Sequence, residues 1–146
     1  MRIPPAGLFA VAAVAQGLIA GRRPTPPAIL SALPLVAAAG VLGAGSVGQF
    51  LCARTTIDPV KVDRASTLIT SGVLGATRNP MYLALAGLLL AHAVARRSVW
   101  ALAPVAAFVW AIGRWQLPAE EAALTSLFGE EYREYVRRVP RWVIRV

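Results

Sequence analysis

The polar side chains that could take part in chemistry fall in two stretches of an otherwise apolar chain, residues 70–82 and 114–141. Carboxylates, guanidinium groups, an amide and phenols can hold a polar ligand through hydrogen bonds and charge. The same groups can form a solvated charged rim that only orients a protein, and residue types alone leave both interpretations open. The candidates are Thr70, Ser71, Arg78, Asn79, Tyr82, Arg114, Glu120, Glu121, Tyr132, Tyr135 and Arg141.

Composition argues against two common kinds of catalytic site. The chain has one histidine, His92, and one cysteine, Cys52. Neither a Ser/His/Asp arrangement nor a zinc cluster is readily assembled from them. We therefore predict no metal site, and we interpret His92 as a packing or interface residue and Cys52 as an inert membrane thiol.

The elements that position the polar candidates are predicted to be membrane helices. The chain has 146 residues, of which 57% are hydrophobic and 15% charged, and its mean hydropathy is +0.59. Residues 3–21, 24–53, 79–95 and 98–113 carry no charge. About 17–25 apolar residues cross a bilayer as a helix. We therefore expect an all-α integral membrane protein with about four transmembrane helices, the last two forming a hairpin around Arg96 and Arg97.

The basic character of the chain fits a membrane better than a nucleic acid. The net charge is +8 and the pI is about 11.3, values that in a soluble domain suggest nucleic-acid binding. With four spans, eleven of the 15 Lys and Arg residues fall on the side of both termini and the central loop. Basic residues favour cytoplasmic loops. The composition, rich in Ala and Arg, indicates a bacterial source. We therefore expect a multi-pass protein of the bacterial inner membrane with both termini cytoplasmic, membrane lipid as a partner and no nucleic-acid partner.

Two further patterns concern helix packing and the C-terminus. Gly40, Ala44 and Gly48 recur every four residues, and small residues at this spacing let helices approach closely in lipid. After Leu117 the pattern becomes that of a cytoplasmic amphipathic helix, with a start near Pro118, a break at Gly129 and a basic end.

Several of the polar candidates lie in short motifs. Residues 70–72 and 78–82 read Thr-Ser-Gly and Arg-Asn-Pro-Met-Tyr, and residues 120–124 read Glu-Glu-Ala-Ala-Leu. Residues 128–135 contain Phe-Gly-Glu-Glu-Tyr followed by a second tyrosine, and residues 139–141 read Val-Pro-Arg. In order and spacing, about residues 55–142 resemble the isoprenylcysteine carboxyl methyltransferase and phospholipid methyltransferase family. Its motifs are S-G-x-Y-R-x-x-R-H-P-M-Y, E-E-x-x-L, F-G-x-E-Y-x-x-Y and V-P-R.

The resemblance implies a cofactor, an acceptor and a set of site residues. The cofactor would be S-adenosylmethionine, enclosed by the last two membrane helices and the C-terminal segment near the cytoplasmic surface. The methyl acceptor would be a lipophilic or small molecule that enters from the bilayer, such as an isoprenylcysteine-type carboxylate. The implied catalytic residues are Arg141, Glu121 and Arg114, with the arginines orienting a substrate carboxylate. The implied cofactor-binding residues are Arg78, Asn79, Pro80, Tyr82, Glu120, Glu121, Tyr132 and Tyr135.

The chain departs from the family pattern at two places. Asn79 stands where the family has histidine, and Val73, Leu74 and Gly75 replace proline, tyrosine and arginine. We expect one membrane domain, residues 1–146, with two N-terminal helices in residues 1–53 and a methyltransferase-like core in residues 54–146. The alternative to an enzyme is a non-enzymatic membrane scaffold or transport partner that retains the fold.

Overall fold

The computed structural model describes residues 4–21, 23–54 and 66–143. All regular structure within these ranges is helical, so the predicted all-α class is confirmed for this part of the chain. Residues 55–65, in the predicted central loop, lie outside the described residues, which resume at Ser66.

Two apolar helices form the N-terminal half. Helix α1 spans Pro5–Ala20 and helix α2 spans Pro26–Cys52. Proline begins each helix, where its missing N–H breaks no helical hydrogen bond. Gly21 follows α1 in the left-handed region with φ of +60°, a common way to end a helix. The two N-terminal helices therefore lie where the uncharged stretches predicted them.

The second half begins with a short element that the sequence did not predict. Helix α3 is a single turn, Val73–Ala76, and helix α4 spans Pro80–Arg96. A reversal at Arg97, with φ of +50°, leads through the 3₁₀ turn Val99–Ala101 into helix α5, Leu102–Ala111. Helices α4 and α5 pack against each other across this short connection.

Helix α5 runs into the C-terminal helix without a loop. Residues Ile112–Gln116 form a π-helical turn, and helix α6 follows as Leu117–Arg138. The sequence predicts a new helix start at Pro118, but the backbone is helical on both sides of it. The π-helical turn changes which side chains face inward between α5 and α6, so the chain passes from one helix to the other without a loop. Gly129, with φ of +55°, kinks α6 at the predicted position.

Helix α2 packs against α4 through small residues, although not on the predicted face. An ideal Cβ at Gly43 lies 3.6 Å from Cβ of Ala84, and one at Gly87 lies 3.4 Å from Cβ of Ala39. Gly40, on the predicted face, is exposed. Alanine and glycine dominate this part of α2 on more than one face, so their spacing alone does not select the face that meets α4.

A buried amide joins α1 to α4 and to the 3₁₀ turn that precedes α5. Gln16 is completely buried, and its Nε2 donates to the carbonyl oxygens of Leu89 at 2.9 Å and Ala101 at 2.8 Å. Its Oε1 accepts from Nδ1 of His92 at 2.9 Å, and Nε of Arg96 donates to Nε2 of His92 at 3.2 Å. These roles require a neutral imidazole protonated on Nδ1. His92 therefore belongs to a network that holds helices together.

One helix of the described chain, α2, is long and apolar enough to cross a membrane. Only 17% of its apolar window is buried inside the protein, whereas the core helix of a soluble domain is mostly buried. Helices α1 and α4 are also apolar but have 16 and 17 residues. Of the four expected membrane helices, α2 therefore has the length and composition that a crossing requires.

Replacing Gln16 with leucine is expected to destabilise the helix bundle. Leucine has a similar volume but leaves the N–H of His92 without an acceptor, and an unsatisfied buried polar group costs about 1–3 kcal/mol. The thermal unfolding midpoint in detergent, followed by circular dichroism, should therefore fall. Leu18→Ala is the control, because the Leu18 side chain on the same helix is 80% exposed. An unchanged midpoint for Gln16→Leu would contradict the assigned role of the amide.

Candidate functional site

Three segments that are distant in the sequence meet at the start of α4. This helix begins at Pro80, whose fixed φ suits the first helical position, so Arg78 and Asn79 immediately precede it. The π-helical turn carries the chain into α6, whose first turns contain Glu120 and Glu121. Residues 139–142 then return from the end of α6 to the start of α4.

The carboxylate of Glu121 lies at the centre of this site. Arg78 donates from Nη1 to Oε1 at 2.9 Å. Arg141 donates from Nε to Oε1 at 3.0 Å and from Nη2 to Oε2, the paired geometry that a guanidinium group forms with a carboxylate. The side chain of Arg78 is only 10% exposed and that of Arg141 is 39% exposed. The hydrogen bonds that Arg141 donates to Glu121 raise the pKa of Arg141 above its ordinary value, so this guanidinium keeps its charge.

Two uncharged groups donate hydrogen bonds to the neighbouring carboxylate, Glu120. The hydroxyl of Tyr82 donates to Oε1, and Nε2 of Gln116 donates to the same oxygen at 2.7 Å. Gln116 is buried at the end of the π-helical turn. Sequence reasoning missed this residue, although an amide in an apolar stretch four residues before a glutamate was an available signal.

Hydrogen bonds fasten the C-terminal segment to the start of α4. The backbone N–H of Arg78 donates to the carbonyl of Pro140 at 3.0 Å. The carbonyl of Arg141 accepts from Nδ2 of Asn79 at 2.8 Å and from the hydroxyl of Thr77 at 3.2 Å. Thr77 is buried and is a second residue that sequence reasoning missed. Asn79, in the position of the family's histidine, therefore fixes the backbone beside Arg141.

Two tyrosines of α6 close one side of the site. Tyr132 and Tyr135 are both buried, with their ring centres 6.1 Å apart. The hydroxyl of Tyr135 donates to the carbonyl of Leu74 at 2.6 Å, and Arg78 donates to the hydroxyl of Tyr132 at 3.5 Å. Burial is the main cause that raises the pKa of both phenols, and the charge of Glu121 adds to the effect at Tyr132. Both act as neutral hydrogen-bonding groups.

All but one of the predicted site residues are brought to this place. Arg114 is exposed in the π-helical turn, and no hydrogen bond or ion pair between described residues joins it to Glu121. Ile112 and Gln116, two residues to either side of it, take the inward positions. The residues that do assemble are Arg78, Asn79, Pro80, Tyr82, Glu120, Glu121, Tyr132, Tyr135 and Arg141.

The assembled groups can bind a ligand that carries both signs of charge. Nε of Arg78 is buried and has no hydrogen-bond partner among the described residues, so this guanidinium retains one donor for an anionic group. Glu120 and Glu121 supply acceptors beside it. Among the described residues, no group of three His, Cys, Asp or Glu side chains is placed to hold a metal ion.

The site tyrosines are expected to resist ionisation in the folded protein. The chain has three tyrosines, so in Tyr82→Phe the ultraviolet absorbance of tyrosinate reports only on Tyr132 and Tyr135. Their raised pKa values stabilise the fold below the ordinary pKa of about 10, and this stabilisation is lost as pH rises through the folded-state value. Tyrosinate should therefore appear near pH ~10 only after unfolding. Ionisation at that pH in the folded variant would contradict the burial.

The sequence of this chain is similar to that of a protein from Haemophilus influenzae described as uncharacterized. The two are 40% identical over 63 residues, which make up 43% of this chain and 100% of that protein. No sequence model of a known family matches the chain, and no solved structure matches it. Because the match extends over the whole of the smaller protein, the chain belongs to the same family as this Haemophilus influenzae protein.

Proposed function

We propose that this protein is a membrane methyltransferase that uses S-adenosylmethionine and methylates a lipophilic or small acceptor at the cytoplasmic face. An isoprenylcysteine-type carboxylate is the leading acceptor. The observation that carries the proposal is the shared carboxylate of Glu121, which joins Arg78 and Arg141. These three residues come from the three segments whose motifs resemble the methyltransferase family. Convergence of the motif residues at one place is what a common ligand would require.

The residues at this place fit the polar groups of the cofactor. S-adenosylmethionine carries a carboxylate and an ammonium group on its amino-acid part, and hydroxyl groups on its ribose. The unpartnered Nε–H of Arg78 is a buried donor that suits a carboxylate. The carboxylates of Glu120 and Glu121 suit an ammonium group or ribose hydroxyls.

The proposed reaction needs orientation more than proton transfer. When bound, the cofactor supplies a methyl group on a sulfonium, and an in-line attack by the acceptor depends mainly on alignment. Glu121 fixes the guanidinium of Arg141, whose half-exposed side chain can receive an acceptor carboxylate on its outer N–H groups. Tyr132 and Tyr135 exclude water from the opposite side. A carboxylate acceptor is already ionised, so no residue has to remove a proton from it.

The proposal includes four membrane-crossing segments: α1, α2, α4 and the continuous segment from Val99 to Gln116. The three shorter segments have 16, 17 and 18 residues, or about 24–27 Å at ~1.5 Å per residue. A small mismatch with a core of about 30 Å is met by thinning of the bilayer. Large apolar side chains point outward from α1, α2 and the segment from Val99 to Gln116, as contact with lipid requires; they include Val11, Leu18, Leu30, Val41, Leu102 and Trp110.

A non-enzymatic scaffold is the second candidate, and one observation favours it. The carboxylate of Glu121 is already bound by Arg78 and Arg141, and that of Glu120 by Tyr82 and Gln116. Groups paired in this way could join α4 to the C-terminal segment without any ligand. A methyltransferase is expected to bind the cofactor through Arg78 and Glu121, whereas a scaffold is not expected to bind it.

The native cysteine offers a test of the membrane topology. Cys52 is exposed at the end of α2, the end that the distribution of basic residues assigns to the cytoplasm. A membrane-impermeant maleimide should label it in inside-out membrane vesicles and not in right-side-out vesicles. Ser98→Cys in a Cys52→Ser background should give the reverse pattern. Labelling of Cys52 only in right-side-out vesicles would contradict the proposed orientation.

Binding of S-adenosylmethionine is the direct test of the methyltransferase proposal. Calorimetric titration into the detergent-purified protein should give saturable binding. Arg78→Ala and Glu121→Ala each remove a charged group of the site and should weaken binding at least about tenfold, which corresponds to ~1.4 kcal/mol. The demethylated product should compete for the same site.

The matched control for charge is Glu130→Ala. Glu130 is exposed and pairs with Arg133 and Arg137 on the surface of α6, so this variant should bind the cofactor as the wild type does. If folded wild-type protein does not bind at millimolar cofactor, the methyltransferase proposal fails and the scaffold becomes the better account. If binding is saturable but insensitive to both site variants, the assignment of the site is wrong.

A further inference from the structure

Arg114, the predicted site residue that does not join Glu121, lies on the outer surface beside two tryptophans. Its side chain is exposed in the π-helical turn and forms no hydrogen bond or ion pair with a described residue. Trp110 and Trp115 are 60% and 46% exposed, and their ring centres lie 4.9 Å apart with the planes at 75°. These three outward-facing side chains, which we call the Trp–Arg group, are accessible to a molecule from outside the chain.

The π-helical turn brings the members of the Trp–Arg group to one side of the segment. In a regular α-helix, two residues five apart point about 140° away from each other, which would separate Trp110 from Trp115. A π-helix bonds residue i to residue i+5, so the turn Ile112–Gln116 allows the two indole rings to stack edge to face. Turns of this kind occur frequently at functional sites, and here the turn creates a surface that a straight helix would lack.

The positive charge of Arg114 is not paired with a carboxylate of the described chain. Glu120 and Glu121, the next acidic residues in the sequence, accept hydrogen bonds from other groups, and residues 64–113 include no acidic residue. In the proposed topology the segment from Val99 to Gln116 ends at the cytoplasmic surface, and an arginine near such an end extends its guanidinium toward the headgroups. An anionic group of the membrane is therefore the counter-ion that this position favours.

We propose that the Trp–Arg group binds the phosphate of an anionic phospholipid in the cytoplasmic leaflet. A guanidinium group binds phosphate through paired N–H donors, and indole rings favour the membrane interface, where their N–H groups are further donors. Exposed Ala103, Ala106 and Ala107 lie on the Trp110 side of α5 and leave a shallow surface for an acyl chain. A choline headgroup is disfavoured because its positive charge repels Arg114. The inference rests on the proposed membrane crossing of this segment and not on methyltransferase activity.

The test compares phosphatidylglycerol with phosphatidylcholine of the same acyl chains. The chain has four tryptophans, so 5-fluorotryptophan gives four fluorine NMR resonances, and Trp110→Phe and Trp115→Phe identify the two of interest. In a neutral detergent, phosphatidylglycerol should shift both resonances saturably and phosphatidylcholine should not. Arg114→Gln should weaken binding about fivefold, the effect of one basic residue near an anionic membrane surface. Arg133→Gln, which removes the same charge from an exposed pair with Glu130, should bind as the wild type does.

Three results would overturn the inference. Equal shifts with the two lipids would show that the headgroup is not recognised, and equal effects of Arg114→Gln and Arg133→Gln would show that only net charge matters. Shifts that follow protein concentration without added lipid would show that a second copy covers the Trp–Arg group. Because Arg114 is exposed, Arg114→Gln should preserve the unfolding midpoint. Maleimide labelling of Cys52 and Ser98→Cys tests the membrane crossing separately, so a failure of lipid binding is distinguishable from a failure of the topology.

Discussion

The carboxylate of Glu121 joins parts of the chain that would otherwise repel each other. Arg78 precedes α4 and Arg141 follows α6, and both guanidinium groups are directed at one side chain on the first part of α6. Removing one partner from a shielded ion pair leaves an uncompensated charge. With the charges balanced, residues 77–79 approach residues 140 and 141 closely enough for three further hydrogen bonds. The geometry of the whole candidate site follows from this contact.

Helix α4 connects this ion-pair cluster with the second polar centre of the molecule. Tyr82 holds Glu120 near its start, and His92 bonds to Gln16 ten residues later, about 15 Å away along the helix at ~1.5 Å per residue. Between them, small residues of α4 lie directly against α2. Polar contacts at both ends and close packing in the middle fix the rotation of α4. The start of the helix therefore presents its residues to the site in one orientation.

The sequence predicts those features that depend on local composition. Proline and the limits of charge-free stretches place the beginnings of α2 and α4, and Gly129 marks the kink in α6. The motif residues around Arg78 and Glu121 do assemble. The sequence does not predict that Gln116 points inward and Arg114 outward. The π-helical turn decides which of these side chains is buried, and such a turn has no clear compositional signal. The packing face of α2 was missed for a related reason, since small residues occupy more than one of its faces.

The three residues at which this chain departs from the motifs that it resembles lie between α2 and the Glu121 cluster. Val73, Leu74 and Gly75, which replace proline, tyrosine and arginine of the family, form or adjoin the single turn of α3. On one side, residues 71–73 contact α2 beside Gln49, and on the other the carbonyl of Leu74 accepts from Tyr135. The residues that we propose to bind the cofactor lie beyond this turn and are largely paired among themselves. A change confined to residues 73–75 therefore alters the surface next to α2 and leaves the Glu121 cluster intact. Under the methyltransferase proposal, this separation lets the surface next to α2 differ from the family pattern while the proposed cofactor-binding residues keep their contacts.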